Sequence, residues 1–128
     1  MVSRTVLSVD DEPSIIALRQ IILEKTGYRV LNACDGKQAL EMFRGNAVDL
    51  VLLDYYMPGM NGGEVAAEIK RLRPVPIIMV SGSFSVAAPE LASVDFFIDK
   101  GAGPEAMLNE MHRLLPDEVS RAMPFAAA

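Results

Sequence analysis

The sequence predicts an α/β domain built on a parallel sheet, and two observations predict it. Short apolar runs alternate with amphipathic helical patterns five times along the chain, the order in which strands and crossover helices follow one another in a parallel sheet. Two of the runs, Leu50 to Leu53 and Ile77 to Val80, are apolar at every position. A strand covered by helices on both faces has no solvent side on which to place polar residues.

The expected strands are Thr5 to Val9, Arg29 to Ala33, Leu50 to Leu53, Ile77 to Val80 and Phe96 to Ile98. The first helix starts at Pro13, where a missing N–H costs nothing, carries Ile15, Leu18 and Ile22 at helical spacing, and ends before Gly27. Asp35 with Gln38 three residues on has the form of a capping box for a second helix bearing Leu40 and Phe43. A third helix shows Val65, Ile69 and Leu72 and stops before Pro74; the last starts near Pro104 and shows Leu108, Met111 and Leu115. Between Ser83 and Ser93 the chain is short, rich in Ala and Ser, and contains Pro89, so the fourth helix is expected to be short or irregular. Residues 1–116 are read as the domain, and 117–128 as a C-terminal tail or the start of a linker.

A chain of 128 residues fits one ordinary domain. With 51% apolar and 23% charged residues it has the balance of a globular protein rather than a disordered one. The net charge of −5 gives no basic footprint, so no direct nucleic-acid partner is expected. Cys34 is the single cysteine, which leaves no disulfide framework or cysteine zinc site within one copy. The start, Met1-Val2-Ser3-Arg4-Thr5, lacks the apolar region of a secretory signal, and no apolar run approaches membrane-spanning length. A soluble cytoplasmic protein without a membrane partner is expected.

The residues that close the strands carry the chemistry. The first run ends in Asp10-Asp11, the third in Asp54 and the fourth in Ser81; Asp99-Lys100 follows the fifth. In a parallel sheet these ends share one edge, where open α/β folds place their ligands. Three carboxylates at close range repel one another unless a cation sits among them. Hard oxygen donors with open positions suit Mg²⁺, and Lys100 adds a second positive charge. Such a site neutralises charge on a phosphoryl group in transfer, and a carboxylate in it can act as nucleophile and form an acyl phosphate. Each element alone has a plainer use. Asp10-Asp11-Glu12 can cap a helix, Asp54 can form a turn, Ser81-Gly82-Ser83 is by itself a loop, and a lone Lys is ordinarily solvated. The coincidence of all four at strand ends carries the inference. His112 has no partner histidine nearby in sequence and is read as a surface or packing residue.

At these positions the chain resembles the receiver domain of two-component response regulators. The resemblance runs to about Leu115 and is most specific over Leu50-Val51-Leu52-Leu53-Asp54-Tyr55-Tyr56-Met57-Pro58-Gly59-Met60-Asn61-Gly62. It implies a (βα)5 flavodoxin-like, doubly wound parallel sheet of order 2-1-3-4-5. It also implies roles. Asp54 is the phosphoacceptor; Asp10, Asp11, Asp54 and the backbone carbonyl of Tyr56 hold Mg²⁺. Lys100 and Ser81 stabilise the phosphoryl group, and Ser81 with Phe97 forms the switch. The implied donor is a phosphohistidine on a sensor histidine kinase or histidine phosphotransfer protein, and the effector is unspecified. A homodimer formed on phosphorylation stays open.

Three features depart from the family pattern. Gly101 follows Lys100 where Pro is usual; a cis bond without Pro costs roughly 3 kcal/mol, so a trans bond and an altered loop are expected. Gly82 follows Ser81 and should loosen the switch loop. The interval from Ser81 to Lys100 is short by about one helical turn, which puts the family's usual output face in doubt. Tyr56 is bulky at the mouth of the site and is expected to shield the acyl phosphate from water. Competing readings are a phosphorylation-independent scaffold of the same fold, a small aspartyl-nucleophile phosphatase, and an FMN carrier. The phosphatase would need a second Asp where Tyr56 stands, and the FMN carrier a phosphate cradle where Asp10-Asp11-Glu12 would repel one.

Overall fold

The computed structural model describes residues 3–82 and 91–115. Five strands form one parallel sheet: β1 (Thr5–Val9), β2 (Arg29–Ala33), β3 (Leu50–Leu53), β4 (Ile77–Ser81) and β5 (Phe96–Asp99), in the order β2-β1-β3-β4-β5. Strand order reverses after β1, and the register pairs Val9 with Ala33 on one side and Leu53 on the other. Val80 and Ser81 pair with Ile98 and Asp99. The residues that follow these pairs therefore leave the sheet side by side.

Four α-helices occur among the described residues: α1 (Pro13–Lys25), α2 (Gly36–Gly45), α3 (Gly62–Leu72) and α4 (Pro104–Leu114). Helices α2 and α3 cover one face of the sheet, where Leu40, Phe43, Val65 and Ile69 pack on Leu7, Val51, Leu53 and Ile77. Helices α1 and α4 cover the other, where Leu23, Met107 and Met111 pack on Val6, Leu50, Leu52 and Ile78. Alternate strand residues feed the two cores, which is why β3 and β4 need apolar side chains at every position. The expectation of a short or irregular fourth helix falls mostly on 83–90, and the tail from 117 onward on the C-terminal residues; both lie outside the described residues. No described helix is long and apolar enough to cross a membrane.

Local details correct the helix expectations. Leu18, expected on the buried stripe of α1, is 57% exposed, and Arg19 beside it is 6% exposed. Leu72 ends α3 largely exposed. At α2, Asp35 accepts a hydrogen bond from the Gln38 N–H, but the Gln38 side chain accepts from Cys34 rather than Asp35. A complete capping box occurs instead at α3, between Asn61 and Glu64. No cis peptide bond occurs among the described residues, in agreement with a trans Lys100-Gly101. A 3₁₀ turn over Lys100–Ala102 replaces the usual loop; its Gly101 N–H donates to the Asp99 carboxylate at 2.8 Å, a bond that proline could not make.

Candidate functional site

Asp10 follows β1 and Asp54 follows β3. Because these strands are neighbours in parallel register, the two carboxylates emerge together at the C-terminal edge of the sheet. Asp11 joins them, and one oxygen from each of the three lies within 4.8 Å of the others. Asp10 is fully buried and Asp54 nearly so, whereas Asp11 is exposed. Asp10 Oδ1 accepts the Glu12 N–H at 3.0 Å, which fixes the carboxylate at the turn into α1.

Lys100 arrives from the end of β5. Its Nζ stands 3.0 Å from Asp10 Oδ2, 3.5 Å from Asp54 Oδ1 and 3.6 Å from Glu12 Oε1. One ammonium thus serves three acids. Burial works against the Lys100 charge, but its contact with Asp10 and the fields of Asp10, Asp54 and Glu12 outweigh burial and hold its pKa above the ordinary lysine value. Asp54 moves the other way for a carboxyl: burial first, and the Asp10 charge next, push it up to about 6, against the pull of Lys100. A carboxylate so placed is costly to ionise without a further cation. Three oxygen donors at this spacing fit a hard divalent ion, which takes carboxylates together with water.

Ser81 closes β4 on the same edge. It is fully buried, and its hydroxyl has no hydrogen-bond partner among the described residues. Phe97 is half-buried on β5 and packs against the α2–α3 core. Tyr56 is 52% exposed, with its ring edge-on to Tyr55 at 4.8 Å between centroids. The chain turns back under Asp54 at Gly62, whose N–H donates to the Tyr55 carbonyl at 2.7 Å. A Cβ at Gly62 would stand 2.4 Å from the Asp54 carbonyl oxygen, so only glycine lets the start of α3 approach this closely. His112 lies exposed on α4, 6.1 Å from the Tyr28 ring, away from these groups.

One charged residue at the site is not selected by the strand-end pattern. Arg19, on the sheet side of α1, donates from Nη1 to Ser8 Oγ at 3.2 Å and places Nη2 3.7 Å from Asp10 Oδ2. Burial pushes its pKa below the ordinary arginine value, opposed by the fields of Asp10 and Asp54. The signal was present in two places: a Ser between Leu7 and Val9 in the first strand, and an Arg four residues after Ile15 and three before Ile22.

Residues 6–112 match the response regulator receiver domain, and the chain belongs to that family, the receiver domains of two-component systems. It is 38% identical over 114 residues to the autoinducer 1 sensor kinase/phosphatase LuxN of Vibrio campbellii, covering 88% of this chain and 13% of LuxN. It is 38% identical over 79 residues to the response regulator GtcR of Aneurinibacillus migulanus, covering 62% of this chain and 33% of GtcR. The chain therefore spans a third or less of these curated relatives. Among solved structures it resembles the response regulator TrrA of Thermotoga maritima in complex with Mg²⁺-BeF, with a TM-score of 0.83 and 32% identity over 88% of this chain and 99% of TrrA. TrrA has also been solved in complex with the histidine kinase ThkA; this chain matches that structure with a TM-score of 0.81.

Proposed function

We propose that this receiver accepts a phosphoryl group on Asp54 from a phosphohistidine, with Mg²⁺ held by Asp10, Asp11, Asp54 and the Tyr56 carbonyl, and changes shape to control a partner. The observation that carries the reading is a buried Asp54 with two further carboxylates within 4.8 Å and the Lys100 ammonium at 3.5 Å. Asp54 is mostly ionised at neutral pH, so an oxygen lone pair is available to attack phosphorus. The new O–P bond forms as the N–P bond of the donor breaks, and the imidazole leaves. Lys100, now beside a phosphoryl oxygen rather than a bare carboxylate, offsets charge as it builds. When bound, Mg²⁺ supplies electrostatic neutralisation of the same oxygens.

The switch follows from Ser81. Its buried hydroxyl has no hydrogen-bond partner among the described residues, and a phosphoryl group on Asp54 adds strong acceptors on the same edge. Drawing Ser81 inward moves the end of β4, and Phe97, registered beside Met79 on β5, fills the space that opens. The donor is a sensor histidine kinase or phosphotransfer protein, by analogy with TrrA and its complex with ThkA. The chain turns over no substrate of its own beyond acquiring and losing this group.

Incubation with Mg²⁺ and acetyl phosphate, followed by intact-mass measurement, tests the reading. One added phosphoryl group in the parent and none in Asp54→Asn is expected. An unmodified parent, or an Asp54→Asn variant modified equally, would refute it.

A further inference from the structure

We infer that Arg19 is a fixed internal counter-cation for Asp10, one that keeps the acidic site assembled without metal and weakens its hold on Mg²⁺. The inference deepens the proposed function and rests on its reading of Asp10, Asp11 and Asp54 as the metal site.

Three observations converge on it. Asp10 is fully buried, and a buried carboxylate persists only when paired. Lys100 is shared with Asp54 and Glu12 at similar distances, so it neutralises Asp10 only in part. Arg19 is itself only 6% exposed, and Asp10 is the acid it pairs with among the described residues, at 3.7 Å. Ser8, fully buried on β1, accepts its other arm at 3.2 Å. Ser8 and Arg19 are polar residues set into a layer of Val6, Leu23, Leu50 and Leu52, and each satisfies the other. The guanidinium is held against the protein side of Asp10, and no accessible pH deprotonates it.

The consequence has a definite sign. A divalent ion approaching from solvent meets an Asp10 whose charge is already partly cancelled, and meets the field of Arg19 behind it. Repulsion between a monovalent and a divalent cation across one side chain, in a half-solvated site, amounts to roughly a tenfold change in affinity. Arg19 therefore trades metal affinity for a site that stays formed in the metal-free protein and exchanges its ion freely. A merely structural arginine predicts the opposite: removing it would disorder Asp10 and weaken metal binding.

The two roles separate by calorimetric titration of Mg²⁺ into the parent, Arg19→Met, Arg19→Gln and Arg19→Lys, with urea unfolding in EDTA and in saturating Mg²⁺. Met is accommodated because the cavity beside Arg19, about 260 Å³, is lined by Ile15, Ile22, Val80, Ile98 and Met107; Gln keeps a donor for Ser8. The Met and Gln variants are expected to bind Mg²⁺ roughly tenfold more tightly, to unfold at lower urea in EDTA, and to recover most of that loss in Mg²⁺. Arg19→Lys, which keeps the charge, should bind within about twofold of the parent. Unchanged or weaker binding in both neutral variants would overturn the inference, and so would their failure to fold in Mg²⁺ as well as in EDTA. A parent and variants that all take up no Mg²⁺ would instead remove the metal reading on which the inference stands.

Discussion

Replacing Asp54 by Asn should stabilise the metal-free protein, and the size of the effect can be worked from the site. In the folded chain the Asp54 carboxyl is pushed from 3.8 to about 6, by burial and by Asp10. A carboxyl whose folded pKa lies above its unfolded value favours the folded state fully below pH 3.8 and loses that advantage as pH rises through 6. Above pH 6 the folded protein carries a constant penalty. At about 1.4 kcal/mol per pH unit, its upper limit is about 3 kcal/mol, and relaxation of the site toward solvent halves it in the least favourable case, to about 1.5 kcal/mol. Asn keeps the shape and carries no charge. Urea unfolding in EDTA near pH 7.5 should therefore show Asp54→Asn more stable by about 1.5–3 kcal/mol, a rise in Tm of roughly 4–10 °C for a domain of this size. Near pH 4 the two proteins should unfold together, because Asp54 is then protonated when folded. Saturating Mg²⁺ should narrow the gap at pH 7.5 by stabilising the parent. A variant no more stable than the parent at pH 7.5, or a gap that does not close toward pH 4, would refute the reasoning.

Three further outcomes follow from the same geometry. Gly62→Ala places a methyl group 2.4 Å from the Asp54 carbonyl oxygen; urea unfolding should show a loss of about 1–3 kcal/mol, with slower phosphorylation by acetyl phosphate because the Asp54 turn is displaced. Ser81→Ala removes a buried hydroxyl that has no hydrogen-bond partner among the described residues, so metal-free stability should hold or rise by up to about 1 kcal/mol. The same variant should still gain the phosphoryl group, while the NMR shifts that phosphorylation produces along β4 and at Phe97 should shrink. Tyr56→Asn opens the mouth of the site, where Tyr56 is half-exposed beside Tyr55; loss of phosphate, followed by intact mass, should run several-fold faster than in the parent, and equal rates would remove the shielding role.

Much of this architecture can be read from the chain because burial on both sheet faces leaves an unambiguous mark. Leu50 to Leu53 and Ile77 to Val80 are apolar throughout, and β3 and β4 occupy those positions, with Ser81 added to β4. The strand-end residues Asp10, Asp54, Ser81 and Lys100 are brought to one edge by parallel register alone. Asp11, adjacent to Asp10, follows with no further assumption. The face of α1 is less legible. Ile15, Ile16, Ala17, Leu18, Ile21, Ile22 and Leu23 nearly encircle the helix, so spacing does not select one stripe, and an arginine ranks last among candidates for burial. Arg19 turns inward because Ser8 and Asp10, distant in sequence, lie beneath it. Tertiary electrostatics outweighs local pattern there. The α3 capping box needs only Asn61 and Glu64 three residues later, a spacing that stands openly in the sequence.

The central claim is that Asp54, among the neighbouring acids, takes the phosphoryl group as an acyl phosphate. Borohydride reduction of the protein after treatment with Mg²⁺ and acetyl phosphate, then peptide mass mapping, tests it most directly, since an aspartyl phosphate is reduced to homoserine and a free carboxylate is not. Homoserine at position 54 alone is the predicted result. Homoserine at position 10 or 11, or a reduced protein with Asp54 intact, would contradict the account.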